Sequence, residues 1–102
     1  MSEKYIKVIH YEPYKFGEVR TIANDWRRFQ KQVEGNFEMH YIGGNLAIVC
    51  NEEGKIFNME PNRYIPELAD TIAGPFFICR TDGEECVSLT KADIKLLKEL
   101  LP

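Results

Sequence analysis

Apolar and polar positions alternate along KYIKVIHY, residues 4–11, so that Ile6, Val8 and His10 share one face while Tyr5, Lys7 and Ile9 share the other. A period of two is that of a strand, whose successive side chains point to opposite sides. Pro13 and Gly17 then punctuate the chain, and Glu18–Ile22 reads as a second strand that closes a hairpin with the first. At Asn24 the period changes. Asn24 or Asp25 can cap a helix over about 25–34, because a short side-chain oxygen accepts from the otherwise unpaired N–H groups of a first turn. Trp26, Phe29 and Val33 fall at helical spacing and are expected to form its buried stripe, with Arg27, Arg28 and Lys31 beside them and Gly35 as the stop.

From Asn36 the pattern predicts a meander of strands at 37–42, 46–50 and 55–59, joined by Gly43-Gly44-Asn45 and by Asn51-Glu52-Glu53-Gly54. Gly54 is expected to supply a positive φ to the second turn. MEPNRYIP, residues 59–66, comes next, and its two prolines bracket Asn62, Arg63 and Tyr64 in what reads as a polar loop. A helical turn is expected within Glu67–Ile72, stopped by Gly74-Pro75, after which Phe76–Arg80 and Glu85–Ser88 pair around Asp82-Gly83. The last helix, about 91–101, has the clearest start: Thr90 and Asp93 have the spacing of a capping box. Ile94, Leu97 and Leu101, with Leu96 and Leu100 beside them, make its apolar face.

These elements define an α+β fold: one domain, 1–102, with a largely antiparallel sheet of five to seven strands and two helices. Two runs, Leu46-Ala47-Ile48-Val49-Cys50 and Phe76-Phe77-Ile78-Cys79, are apolar at every position, which predicts burial on both faces. If both helices lie on one face, the other needs a cover. Either the sheet curls into a partial barrel or a second copy supplies that layer, and a homo-oligomer is the expectation.

Composition narrows the function classes. No apolar run approaches the ~18 residues of a membrane span, and the N-terminus lacks the apolar stretch and cleavage site of a secretory signal, which predicts the cytoplasm. A net charge of −3 argues against duplex DNA as partner. Cys50, Cys79 and Cys86 form no CxxC pair, so neither a disulfide framework nor a zinc site is expected. Cys50 and Cys79 end apolar runs and read as small buried hydrophobes, and the acids Glu84 and Glu85 disfavour a thiolate at Cys86.

No catalytic signature is present, and neither a cofactor nor a metal is expected. His10 and His40 lie on different strands without a partner at ligand spacing and read as sheet-face residues. Glu52 and Glu53 read as solvated turn charges, and Trp26 as core. The candidate binding element is Asn62-Arg63-Tyr64, with a guanidinium fork suited to phosphate or carboxylate and a ring suited to stacking on a base. The same triplet can instead be a structural clasp, with Arg63 paired to Glu67 or Asp70.

An ordered series of segments carries a resemblance: the opening IKVI strand, CNEEGKI at 50–56, PNR at 61–63, ADTIAGPFFI at 69–78 and VSLTKADI at 87–94. Together they resemble a family of small phage- and mobile-element-encoded proteins known only as a domain of unknown function, whose pattern is more aliphatic where Pro75 and Cys79 stand here. The resemblance implies an anti-defence protein of the bacterial host's cytoplasm, one that sequesters a cyclic or ADP-ribose-derived nucleotide signal without cleaving it. Asn62, Arg63 and Tyr64, with Arg27 and Arg28, are then the expected ligand contacts. A protein-binding inhibitor of a host nuclease or restriction factor, acting through the acidic segments at Glu52-Glu53 and Asp82–Glu85, is the alternative. An enzyme using His10 or His40 as a base is the third reading.

Overall fold

The computed structural model describes residues 3–102. It is α+β, with eight strands and two helices among the described residues. Strands β1 (Tyr5–Tyr11) and β2 (Glu18–Ala23) form the first hairpin, and α1 (Trp26–Val33) follows. Next come β3 (Phe37–Gly43), β4 (Leu46–Asn51), the short β5 (Pro61–Ile65) and β6 (Asp70–Ala73), then β7 (Phe76–Asp82), β8 (Glu85–Val87) and α2 (Lys91–Leu100). Six strands make one open antiparallel sheet, five of them in the order β2-β1-β7-β4-β3 and the sixth, β8, paired to β7, while β5 and β6 pair separately. One edge of β7 is shared: Ile78 to Phe76 pair with β1, and Arg80 to Asp82 pair with β8.

The central strands are buried on both faces, as their apolar runs predict, and every residue of β4 is buried. On one face Phe29 and Val33 of α1 pack on Ile6, Val8, Ala47, Val49 and Phe77. On the other, Ile65 and Ile72 of the β5–β6 hairpin and Leu97 of α2 pack on Ile9, Tyr11, Ile48, Phe76 and Ile78. The helices therefore divide between the faces instead of sharing one, and the small hairpin completes the second layer. The chain covers its own sheet without closing it into a barrel.

Local chemistry explains most boundaries. Asp25 caps α1 by accepting from the Arg28 N–H at 2.8 Å, and the chain leaves the helix through Glu34 at φ 62°, so Glu34 takes the left-handed position ahead of Gly35. Thr90 and Asp93 form the expected capping box on α2. Asp93 also receives two hydrogen bonds from Arg80 at 2.7 Å, joining α2 to β7, and that guanidinium holds its carboxyl down at about 2.

Four expectations are corrected. Residues 55–59 are not a strand: 52–58 form successive turns that leave Ile56 and Phe57 exposed. The strand that follows β4 is β5, within the proline-bracketed stretch. Pro61 opens that strand, where a missing N–H costs no ladder bond, and Pro66 begins the 3-10 turn Pro66–Leu68, all that exists of the helical segment expected before Ile72. Gly54 has no positive φ; it is required because a Cβ there would lie 2.5 Å from the Ala73 carbonyl oxygen. Trp26 is 58 % exposed. It is the first residue of α1, and helical side chains lean toward the N-terminus, which carries its ring past the sheet edge instead of onto it.

His10 is buried on the α1 face with no hydrogen-bond partner for Nδ1. Burial, and then the Arg20 guanidinium, lower its pKa from 6.5 to about 4, opposed by Glu12, Glu18 and the Gln32 amide. Between those values the unfolded chain binds a proton that the folded chain refuses, so stability is lost as pH falls from about 6.5 to about 4. Urea unfolding is expected to show about 2 kcal/mol of this loss between pH 7 and pH 4.5. A His10→Phe variant is expected to lack that component, and an unchanged pH dependence would show that His10 is not its source.

Candidate functional site

Asn62 and Arg63 occupy structural positions. The Asn62 amide donates to the backbone carbonyls of Tyr11 at 3.1 Å and Gly74 at 2.9 Å, pinning β5 to the end of β1 and to the turn before β7. Arg63 donates to the Glu12 carbonyl at 3.3 Å, to the Asn62 Oδ1 at 2.8 Å and to the Lys15 carbonyl. Its guanidinium also lies over the Tyr11 ring, 5.1 Å from the centroid, and that ring stacks on Phe76. The clasp reading thus describes the geometry, but with different partners: backbone carbonyls of the β1–β2 loop instead of Glu67 or Asp70. Tyr64 is 57 % exposed beside them.

Arg27 and Arg28 belong to α1, across the sheet from the β5–β6 hairpin, so the five expected contact residues do not converge. Arg28 instead joins residues the sequence reading left aside. A groove of about 480 Å³ between β2 and α1 is lined by Tyr5, Arg20, Thr21, Arg28 and Gln32. Strand register sets its floor: Tyr5 pairs with Ala23, and Arg20 sits opposite Val8. Arg20 is oriented by the Glu18 carboxylate and by the Gln32 Oε1 at 3.1 Å, while Arg28 is exposed with no ion-pair partner among the described residues. Tyr5 borders the groove from β1, but its exposed ring belongs to the opposite face of that strand from Val8 and Arg20. Elsewhere on α1, Arg27 lies 5.4 Å from the centroid of the exposed Trp26 ring, which borders a different pocket with Phe29, Phe37 and Met39. Two guanidinium groups in one groove suit an anion such as a phosphate.

A second concentration of chemistry lies on the opposite face. Glu38, His40 and Cys50 place one ligand-type atom each within 4.8 Å of one another. They line a cleft of about 270 Å³ that Lys55 of the 52–58 turns and Asp70 and Thr71 of the hairpin complete. His40 Nε2 is 2.9 Å from Glu38 Oε1. Cys50 is buried, and burial first, then Glu38 and Asp70, push its thiol up to about 12. Asp70 is held below the ordinary carboxylate range by Lys55 and then by the Thr71 N–H.

A bulge in the β3–β4 hairpin creates this cluster. Gly43, Gly44 and Asn45 all have positive φ, and the register shifts by one between Tyr41 and Gly43. With the Gly43–Leu46 register continued, Met39 would face Cys50; the extra residue puts Glu38 there instead. The signal in the sequence is Glu38-x-His40, whose period of two places both side chains on one face, but the third member depends on a bulge that spacing does not show.

The other two thiols pack together, with the Cys79 S–H 3.2 Å from Cys86 Sγ, and this bond and burial push the Cys79 thiol up. Glu52-Glu53 follow the end of β4 that pairs with Phe76, whereas Asp82–Glu85 form the far end of β7. Six residues of strand, roughly 20 Å, separate those ends, and the acidic segments do not make one surface.

The fold is that of an open antiparallel α+β sheet clasped by a β-hairpin. The chain belongs to the DUF3846 family, a domain of unknown function, which matches residues 6–102. No curated protein and no solved structure matches it. No helix among the described residues is long and apolar enough to cross a membrane.

The clasp makes a stability prediction. Asn62→Ala leaves two carbonyl acceptors without their donor and is expected to lower the unfolding free energy by about 2 kcal/mol in urea titration. A free surface ligand contact at the same position would change it by less than about 0.5 kcal/mol, and that result would contradict the clasp.

Proposed function

We propose that this protein binds and withholds a small anionic nucleotide-derived ligand, and that it does so without cleaving it. The observation that carries the reading is the groove between β2 and α1 in which Arg20 and Arg28 meet. A guanidinium presents paired donors to phosphate oxygens, the group common to nucleotide-derived signals. Compared with the expected contact set, Arg28 is kept, while Asn62 and Arg63 are left to hold the fold. An anti-defence role in a phage-infected bacterium, the context the resemblance implies, is the biological setting of this proposal. The acidic-surface reading has less support, because its two segments lie at opposite ends of β7.

The test is depletion and recovery. Purified protein is mixed with a panel of cyclic dinucleotides and cyclic ADP-ribose isomers, filtered, then heat-denatured, and the released material is identified by mass. Intact recovery of at least one compound is expected, and the ligand-to-chain ratio tells whether two copies share one molecule. Arg28→Glu, a change at an exposed side chain, is expected to weaken uptake at least about tenfold without altering stability. Recovery of a cleaved product would replace sequestration with catalysis, and no depletion across the panel would end the proposal.

A further inference from the structure

We infer that the cleft between the β3–β4 hairpin and the β5–β6 hairpin is a site for a single divalent transition-metal ion, zinc by its donor set, held by Glu38, His40 and Cys50. Three observations on the molecule meet here. The donors are of three kinds, carboxylate oxygen, imidazole nitrogen and thiol sulfur, a mixture that suits zinc and not magnesium or calcium. They come from a paired stretch of two neighbouring strands: Glu38 lies directly opposite Cys50, and His40 is two residues along on the same face as Glu38. They also line an open cleft, so an ion has a route from solvent and a free coordination position.

Tetrahedral zinc with bonds of about 2.0–2.3 Å holds its ligand atoms roughly 3.3–3.8 Å apart. The three atoms here lie within 4.8 Å of one another, so the wider separations must close by about 1 Å, while His40 Nε2 and Glu38 Oε1, 2.9 Å apart, must open by about 0.4 Å as their hydrogen bond gives way to the ion. Glu38 is exposed and can make that movement by a rotamer change, whereas Cys50 is fixed in the core and sets the position of the ion. Cys50 must give up its proton to bind, and the positive ion replaces that proton as the partner of the sulfur. The fourth position faces the cleft side formed by Asp70 and Thr71, where water or an anionic ligand atom completes the sphere. Three protein ligands with an open fourth position are the arrangement of an exchangeable or reactive zinc site, as opposed to a closed structural one.

Cobalt(II) reads the site directly, because thiolate coordination gives it an intense near-ultraviolet charge-transfer band and a tetrahedral field strengthens its visible bands. Chelator-treated protein is titrated with Co2+ under reducing, anaerobic conditions, then with Zn2+. The expected result is one equivalent of Co2+ bound with a charge-transfer band, displaced by one equivalent of Zn2+. Cys50→Ser is expected to abolish the band. His40→Ala, at a half-exposed position that leaves the core intact, is expected to weaken Zn2+ binding at least about tenfold while circular dichroism stays that of the parent. Absence of a band in the parent protein overturns the inference. So does a band that survives Cys50→Ser, which would put the metal on Cys79 and Cys86, and so does Zn2+ uptake indifferent to His40→Ala.

Discussion

Strand β4 and the Phe76–Cys79 stretch of β7 have no side that faces water. Each is apolar in succession, each is flanked by strands on both edges, and each must be covered above and below by other parts of the chain. Burial of apolar surface stabilises by about 25 cal/mol per Å², so an uncovered face on the two central strands would remove a large share of a small domain's net stability. The remaining elements are arranged around that requirement. Helix α1 supplies Phe29 and Val33 to one face, and the β5–β6 hairpin and α2 supply Ile65, Ile72 and Leu97 to the other.

The clasp at Asn62 and Arg63 follows from the same constraint. A two-stranded hairpin has little stability of its own and stays on a sheet only if it is fixed there. Asn62 fixes it by bonding to the carbonyls of Tyr11 and Gly74, and Arg63 by gathering the carbonyls of the β1–β2 loop over the Tyr11 ring. Tyr11 in turn donates its hydroxyl to the Leu101 carbonyl at 3.0 Å, so one aromatic residue joins β1, the hairpin and the end of α2. Residue types that suit ligand recognition serve equally well to satisfy buried carbonyls, and only their position in the fold distinguishes the two uses.

Much of this was legible in the sequence. Period-two alternation placed β1, turn residues marked off β3 and β8, short polar residues placed both helix caps, and continuous apolar runs placed β4 and β7 and announced the two-sided core. The failures have physical causes. Ile56 and Phe57 carry strand propensity but lie in a series of turns, because the next strand pairs with β6 and not with β4. Trp26 matched the helical stripe, yet as the first residue of α1 it stays exposed, one turn short of the buried Phe29. The Tyr5, Arg20 and Arg28 groove required knowing that α1 lies along β2, and the Glu38, His40 and Cys50 cluster required knowing the bulge at Gly43. Contacts set by register or by the packing of distant elements leave no local period to read.

The claim on which the account rests is that the chain completes its own two-faced core. Native-state hydrogen exchange at protein concentrations spanning a hundredfold range tests it most directly. The account predicts that backbone amides of β4 and β7, Ala47, Val49, Phe77 and Ile78 among them, exchange only through global unfolding, at rates independent of concentration. Protection of those amides that grows with protein concentration would contradict it, because the second layer would then come from another copy of the chain.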